Sequence, residues 1–167
     1  LLKLLNDDEA EIKIHIFNNK IIFMFDTIIF MSRLINGSYP DTSKLIPEEF
    51  STEIIVNLKD LYNSIDRASL LTNEADKNTV KLSIVDNKIL LRSNIPEIGN
   101  VEEKLDIIES NNNDIKIAFS SKFMMDALKV MECDNVKLLF NGEIKPIIIK
   151  DASNDDLIQL ILPIKTY

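Results

Sequence analysis

The stretch Asp114-Ile115-Lys116-Ile117-Ala118-Phe119-Ser120-Ser121-Lys122-Phe123-Met124-Met125-Asp126-Ala127-Leu128 changes period in the middle. As far as Phe119, the residues Ile115, Ile117 and Phe119 alternate with Lys116 and Ala118. That is the period of two of a strand with one buried face. Ser120 or Ser121 then offers a cap. Beyond it Phe123, Met124, Ala127, Leu128 and Met131 recur at helical spacing, which predicts a helix to about Met131 with those five side chains inward. Three more strand-like runs follow, near 135–140, 145–150 and 157–163. Asn141-Gly142 is a strong hairpin turn between the first two.

The same order stands upstream. Residues 53–57 read as a strand, and 58–71 as a helix on Leu58, Leu61, Tyr62, Ile65, Ala68 and Ser69. Strands follow near 79–85, 88–94 and 101–109, with Asp86-Asn87 as a short hairpin and the polar run 111–114 as a break. The opening segment reads as the tail of a helix, Leu1 to Leu5, and then strands over 12–16, 20–26 and 27–35. That is the same unit without its first strand. A repeated strand, helix, strand, strand, strand unit predicts an α+β fold. Two and a half copies predict a parent protein with at least three.

Composition bounds the possibilities. The chain has 167 residues, 19 Lys plus Arg against 27 Asp plus Glu, a net charge of −8 and 46% hydrophobic residues. Such a chain is a soluble globular protein that buries roughly 70% of its extended surface. The acidic balance argues against nucleic-acid binding over the whole surface and leaves room for a local basic strip. Cys133 has no partner for an internal disulfide, so a reducing cytoplasm is the easier reading. No apolar run nears the ~18 residues of a spanning helix. The greasiest stretch, 21–35, is interrupted by Asp26, Ser32 and Arg33. No signal-peptide pattern is present. The first residue is Leu1, not Met, so a segment of something longer, or a trimmed chain, is expected.

Nothing points to catalysis, to a metal or to a cofactor. There is no glycine-rich phosphate loop, no Ser-His-Asp arrangement and no zinc-ligand spacing. His15 alternates with Ile14 and Ile16, which puts it on the polar side of a strand. Asp155-Asp156 suits a turn better than a metal pair, because sequence neighbours point apart. Cys133 lies beside Glu132 and Asp134, whose charges raise a thiol's pKa rather than activate it.

Four stretches carry a family resemblance. Leu34-Ile35-Asn36-Gly37-Ser38-Tyr39-Pro40-Asp41 with Leu45-Ile46-Pro47 resembles the junction between the second and third domains of the β subunit of bacterial DNA polymerase III, the sliding clamps. Asp66-Arg67-Ala68-Ser69-Leu70-Leu71 is similar to that family's next helix, and Ser120 to Leu128 to its last. The ending Leu160-Ile161-Leu162-Pro163-Ile164-Lys165-Thr166-Tyr167 resembles its carboxyl terminus. The matches keep order and spacing over about four-fifths of the chain. The resemblance implies the DNA-clamp fold, in which a helix pair is backed by antiparallel sheets. Residues 1–48 would be the second half of the middle domain and 49–167 the whole third domain. It implies a non-catalytic processivity factor, a head-to-tail homodimeric ring around duplex DNA held without regard to sequence. Its implied partners are the polymerase III α subunit, the clamp loader, and other polymerases and repair proteins that dock through short peptides. It implies a cytoplasmic, nucleoid-associated place and no membrane.

Site residues follow from the resemblance one by one. The peptide groove falls on Pro40, Lys44, Leu45, Ser120, Phe123, Pro146, Leu160, Leu162, Pro163, Ile164 and Lys165. Docking motifs with a Leu and an aromatic need an apolar pocket and a few orienting polar groups, which these residues can supply. Lys44 stands where some members have Arg, which loses bidentate contacts. Thr166-Tyr167 extends the tail. The plainer reading of the loop and the tail is a linker and a frayed last strand. The ring interface falls on Leu70 and Leu71, which lie off the helix stripe, and on Glu97, Glu102, Glu103 and Asp106 near an edge strand. Their plainer readings are a last turn folding back into the core and an edge charged against stray pairing. Lys59, Arg67, Lys122 and Lys129 fall on the DNA-facing helix sides, or are simply solvated. Two rival classes stay open beside the clamp: a small-ligand-binding β-rich domain with a cavity between its sheets, and a hydrolase working with Asp or Glu pairs.

Overall fold

The computed structural model describes residues 3, 11–39, 41, 45–111 and 115–165. They pack as two units divided between Asp41 and Thr42, whereas the sequence puts a boundary after Glu48. Just past Glu48 the chain is tied to Phe140 and to Asn141, the residue after it. The Asn141 side-chain amide donates to the Glu49 carbonyl at 3.2 Å, and the Ser51 N–H donates to the Phe140 carbonyl at 3.0 Å.

The first unit is an antiparallel sheet of β1 (Lys13–Ile16), β2 (Lys20–Phe25) and β3 (Ile28–Arg33), in that order. Phe25 faces Ile28 across a two-residue turn whose Asp26 has φ 48°, a left-handed value that Asp tolerates. The alternation at Ile12, Ile14 and Ile16 predicts a half-buried strand. The strand forms there, but all of β1 is exposed, with Ile14 at 55% and Ile16 at 74%. Among the described residues of this unit only Phe25 is buried. Among the described residues of this unit no second layer covers the sheet. The predicted opening helix lies, but for Lys3, outside the described residues.

In the second unit β4 (Thr52–Asn57) runs straight into α1 (Leu58–Ser69). Then come β5 (Thr79–Val85), β6 (Lys88–Ile95), β7 (Gly99–Asp106) and the short β8 (Glu109–Ser110). Next, β9 (Lys116–Ser120) runs straight into α2 (Ser121–Lys129), followed by β10 (Asn135–Phe140), β11 (Ile147–Asp151) and β12 (Ile158–Ile161). The predicted repeat is present with one difference: the run 101–109 breaks after Asp106. Beyond the break, β8 pairs with β4, and the Ile108 N–H bonds the Ile55 carbonyl at 2.8 Å.

Pairing exchanges the first strands of the two copies. The sheets are ordered β12-β11-β10-β4-β8 and β7-β6-β5-β9, every pair antiparallel. Each copy therefore completes the other's sheet, and neither stands alone. One core runs between them. Leu61, Ile65 and Ala68 of α1 and Met124, Ala127 and Leu128 of α2 meet Ile54, Leu91, Phe119 and Leu138 of the inner sheet faces. The side chains between the two sheets form one buried cluster.

Local chemistry sets the ends. The Asn57 side chain accepts the Asp60 N–H at 3.1 Å and caps α1. Ser120 occupies the cap position of α2 but makes no capping bond; its neighbour Ser121 donates its hydroxyl to the Asn78 carbonyl at 3.1 Å. The helix stops at Lys129, short of Met131. Phe123 is 63% exposed rather than inward. Met124, Ala127, Leu128 and Met131 already define the buried face, and Phe123 lies about 100° from it. Asp86 and Asn87, at φ 51° and 58°, form the two-residue turn that the β5–β6 hairpin requires. The β10–β11 connection is longer than the Asn141-Gly142 pair and spans 141–146.

Candidate functional site

After β12 the chain leaves the five-stranded sheet and reaches the other one. The Ile164 N–H donates to the Ala118 carbonyl at 2.7 Å, on β9, the edge of the four-stranded sheet. Pro163, with a fixed φ and no N–H of its own, sets the approach. The tail, the start of α2 and the loop before β5 enclose an open cavity of about 980 Å³. Its apolar wall is Phe123, Leu160, Ile161, Leu162, Pro163 and Ile164, and its rim carries Glu74, Lys77, Lys122 and Lys165. Leu162 is 69% exposed. Two large apolar side chains, Phe123 and Leu162, thus stand at positions the core does not use. A trough of this size with a charged rim suits apolar anchors of an extended peptide.

Of the groove residues expected from the sequence, Ser120, Phe123, Leu160, Leu162, Pro163, Ile164 and Lys165 come together here. Leu45 is half exposed and does not line the cavity. Pro146, in the β10–β11 connection, does not line it either. Pro40 and Lys44 lie outside the described residues, as do Thr166 and Tyr167. Lys122, expected on a DNA-facing side, stands on the rim. Glu74, Lys77 and Asn78 were not expected. Their loop is drawn in because the Asn78 carbonyl accepts both the N–H of Ser121, at 2.9 Å, and its hydroxyl. Lys77 and Asn78 have φ 55° and 52°, and Asn78, a residue type that tolerates that region, was the only trace of this in the sequence.

Of the expected interface residues, Glu102, Glu103 and Asp106 stand on β7, the edge of the four-stranded sheet away from β9, while Leu70 and Leu71 follow α1. Leu70 is 75% exposed; Leu71 is partly covered and approaches Gly99. Three of the four acids have partners within the chain: Glu102 with Arg92 at 2.9 Å, Glu103 with Arg67 at 2.7 Å, and Asp106 with Lys88 at 2.5 Å. Glu97 is exposed in the turn before β7. Arg67, expected to face DNA, is thus engaged by Glu103, a hydrogen bond that holds its pKa above the ordinary value. Lys59 and Lys129 are exposed on their helices, with Lys129 3.8 Å from Asp126.

The minor candidates stay minor. His15 is exposed on β1. Asp155 pairs with Lys150 at 3.0 Å, and the Asp156 N–H donates to the Asn154 side chain. The Cys133 thiol is pushed up, first by burial and then by Asp151 and Asp134; the sequence foresaw the direction but only Asp134 among the causes. Among the described residues no three His, Cys, Asp or Glu side chains gather as a metal site, and no helix is long and apolar enough to cross a membrane.

The interlocked copies, with the trough under residues 160–165, define an α+β domain with a charged-rimmed apolar trough. Comparison with known proteins gives this class its family. Residues 43–165 match the C-terminal domain of the DNA polymerase III beta subunit, and residues 1–41 match its central domain. The chain is 42% identical over its whole length to the Beta sliding clamp of Staphylococcus aureus, of which it covers 44%. It superposes on the DNA polymerase sliding clamp from Bacillus subtilis with a TM-score of 0.87 at 42% identity, over 99% of this chain and 44% of that one. For the DNA polymerase III beta chain of Streptococcus pneumoniae the TM-score is 0.83 at 35% identity, over 93% and 41%. The chain has the sliding-clamp fold and belongs to the DNA polymerase III β subunit family. It spans less than half the length of the relatives it matches.

Proposed function

We propose that this chain is part of a sliding clamp: a homodimeric ring that encircles duplex DNA, tethers the replicative polymerase and docks partner proteins by short peptides. It contributes no chemistry. The observation that carries the docking reading is the pair Phe123 and Leu162, large, apolar and exposed, facing one trough under a tail pinned by Ile164. Exposed apolar side chains in a shaped cavity favour an occupant that removes them from water. The polymerase α subunit, the clamp loader and repair polymerases are the partners this family reading supplies. Leu70, Leu71 and the β7 edge would meet a second copy, and Lys59, Lys122 and Lys129 would give DNA weak, sequence-blind, salt-sensitive contacts. A net charge of −8 is compatible with that, because the DNA-facing side is a small part of the surface.

The test is fluorescence anisotropy with a labelled peptide carrying Gln-Leu-Ser-Leu-Phe. It should bind saturably, and deletion of Pro163 to Tyr167 should abolish the binding. Unchanged affinity in the deletion would remove the tail from the docking site.

A further inference from the structure

A second cavity, of about 590 Å³, shares Ile164 and Lys165 with the trough. Its floor is the outer face of the four-stranded sheet, from which Lys81, Arg92 and Lys116 project, and Glu143 and Ile144 of the β10–β11 connection complete its lining. In register Lys81 lies directly opposite Arg92, and Lys116 opposite Ser83, two residues along β5 from Lys81. Four cations, with Lys165, therefore meet one lining carboxylate, Glu143. Arg92 is held by Glu102. Lys81, Lys116 and Lys165 have no ion pair among the described residues.

Like charges placed opposite one another in a sheet destabilise it. A chain that is acidic overall gathers them here nonetheless, in a concave place adjoining the trough. An anionic ligand relieves that repulsion, and the shared wall says which. A peptide held in the trough advances about 3.3 Å per residue when extended. A few residues past its apolar anchors carry it over Ile164 and Lys165 and onto the lysines. We infer that this cavity receives an acidic segment flanking the apolar motif, so that partners with Asp and Glu beside their anchors bind in preference. The inference rests on the docking reading above.

Three labelled peptides test it on the full chain at low salt: the Gln-Leu-Ser-Leu-Phe core with Gly-Ser flanks, and the same core with a run of Asp and Glu before it or after it. One acidic peptide should bind roughly three- to tenfold tighter than the Gly-Ser peptide, as two or three partly exposed ion pairs allow. Lys81→Gln with Lys116→Gln, neither of which lines the trough, should erase that advantage and leave the Gly-Ser peptide's Kd unchanged. High salt should erase it too. If the Gly-Ser peptide binds and neither acidic flank helps, the inference fails and the docking reading stands. If no core peptide binds, the docking reading fails and the inference with it. A titration with duplex DNA supplies the remaining outcome: if the double variant weakens DNA binding and leaves the acidic preference intact, the lysines belong to a DNA surface and the inference is overturned.

Discussion

The two copies in the second unit end in strands that occupy the same place in their sheets and are finished in opposite ways. The first copy ends in β7, eight residues long, whose outward acids Glu102 and Asp106 are answered by Arg92 and Lys88 of β6, and whose Glu103, on the other face, is answered by Arg67 of α1. The second ends in β12, four residues long, which runs into an apolar tail that crosses to the other sheet. An edge strand exposes unpaired backbone and must be protected from stray pairing. The β7 edge is protected by charge, which excludes most partners and still admits a complementary one. The β12 side leads instead into a trough with exposed apolar residues. One architecture, duplicated, thus presents an ionic surface and an apolar one at different ends.

The comparison breaks altogether if the shared core fails. Phe119 is fully buried on β9, the strand that one copy lends to the other's sheet and that also anchors the tail. Phe119→Ala should cost about 3–5 kcal/mol. Chemical denaturation should report that loss, and peptide binding should weaken with it. A loss below about 1 kcal/mol would mean that the two copies do not depend on each other as the strand exchange requires.

The apolar end is sharpened by Phe123→Ala with Leu162→Ala. Both side chains are mostly exposed, so stability should hardly change, while peptide affinity should fall by about 2–4 kcal/mol, roughly thirtyfold or more. Isothermal titration and a thermal melt on the same variant separate the two effects. Equal affinity would show that the trough is a bystander. The β7 end is sharpened by Leu70→Ala with Leu71→Ala. In the native full-length protein sedimentation should shift from dimer to monomer, with the melt of the second unit little altered. A dimer that persists at low micromolar concentration would take these leucines out of the interface.

How much of this was legible in the sequence depended on the range of the interaction. Periods of two and 3.6 residues gave both helices and nearly every strand, because each element's burial pattern is local. The break after Asp106 escaped, since it is set by β8 pairing with β4, more than fifty residues away in the chain. The exchange of first strands was invisible for the same reason. In the trough, the tail and Phe123 were found through the family resemblance alone; helical spacing put Phe123 inward. Glu74 and Lys77 were missed because nothing in a polar loop announces that Ser121 will bind the carbonyl at its end. The acids of β7 were placed on an edge, but their partners Arg92 and Lys88 come from a register that periodicity does not fix.

Those ion pairs supply the smallest test. Glu102 and Arg92 stand directly opposite one another on β7 and β6, and both side chains are more than a third exposed. Water screens such a pair, so its contribution to stability is at most a few tenths of a kcal/mol. Glu102→Gln should move the midpoint of a thermal melt by less than about 2 °C, and that small shift should disappear in concentrated salt. Its effect on association should differ in kind. If the charged edge selects its partner, the same substitution should change the rate at which two copies of the full-length protein associate, and the salt dependence of that rate, more than it changes dissociation. Stopped-flow mixing of labelled protomers distinguishes the two. An association rate unmoved by Glu102→Gln would leave the β7 charges as protection for an edge and nothing more. The contrast between the ends would then be between a guarded surface and a receptive one, rather than between two receptive ones.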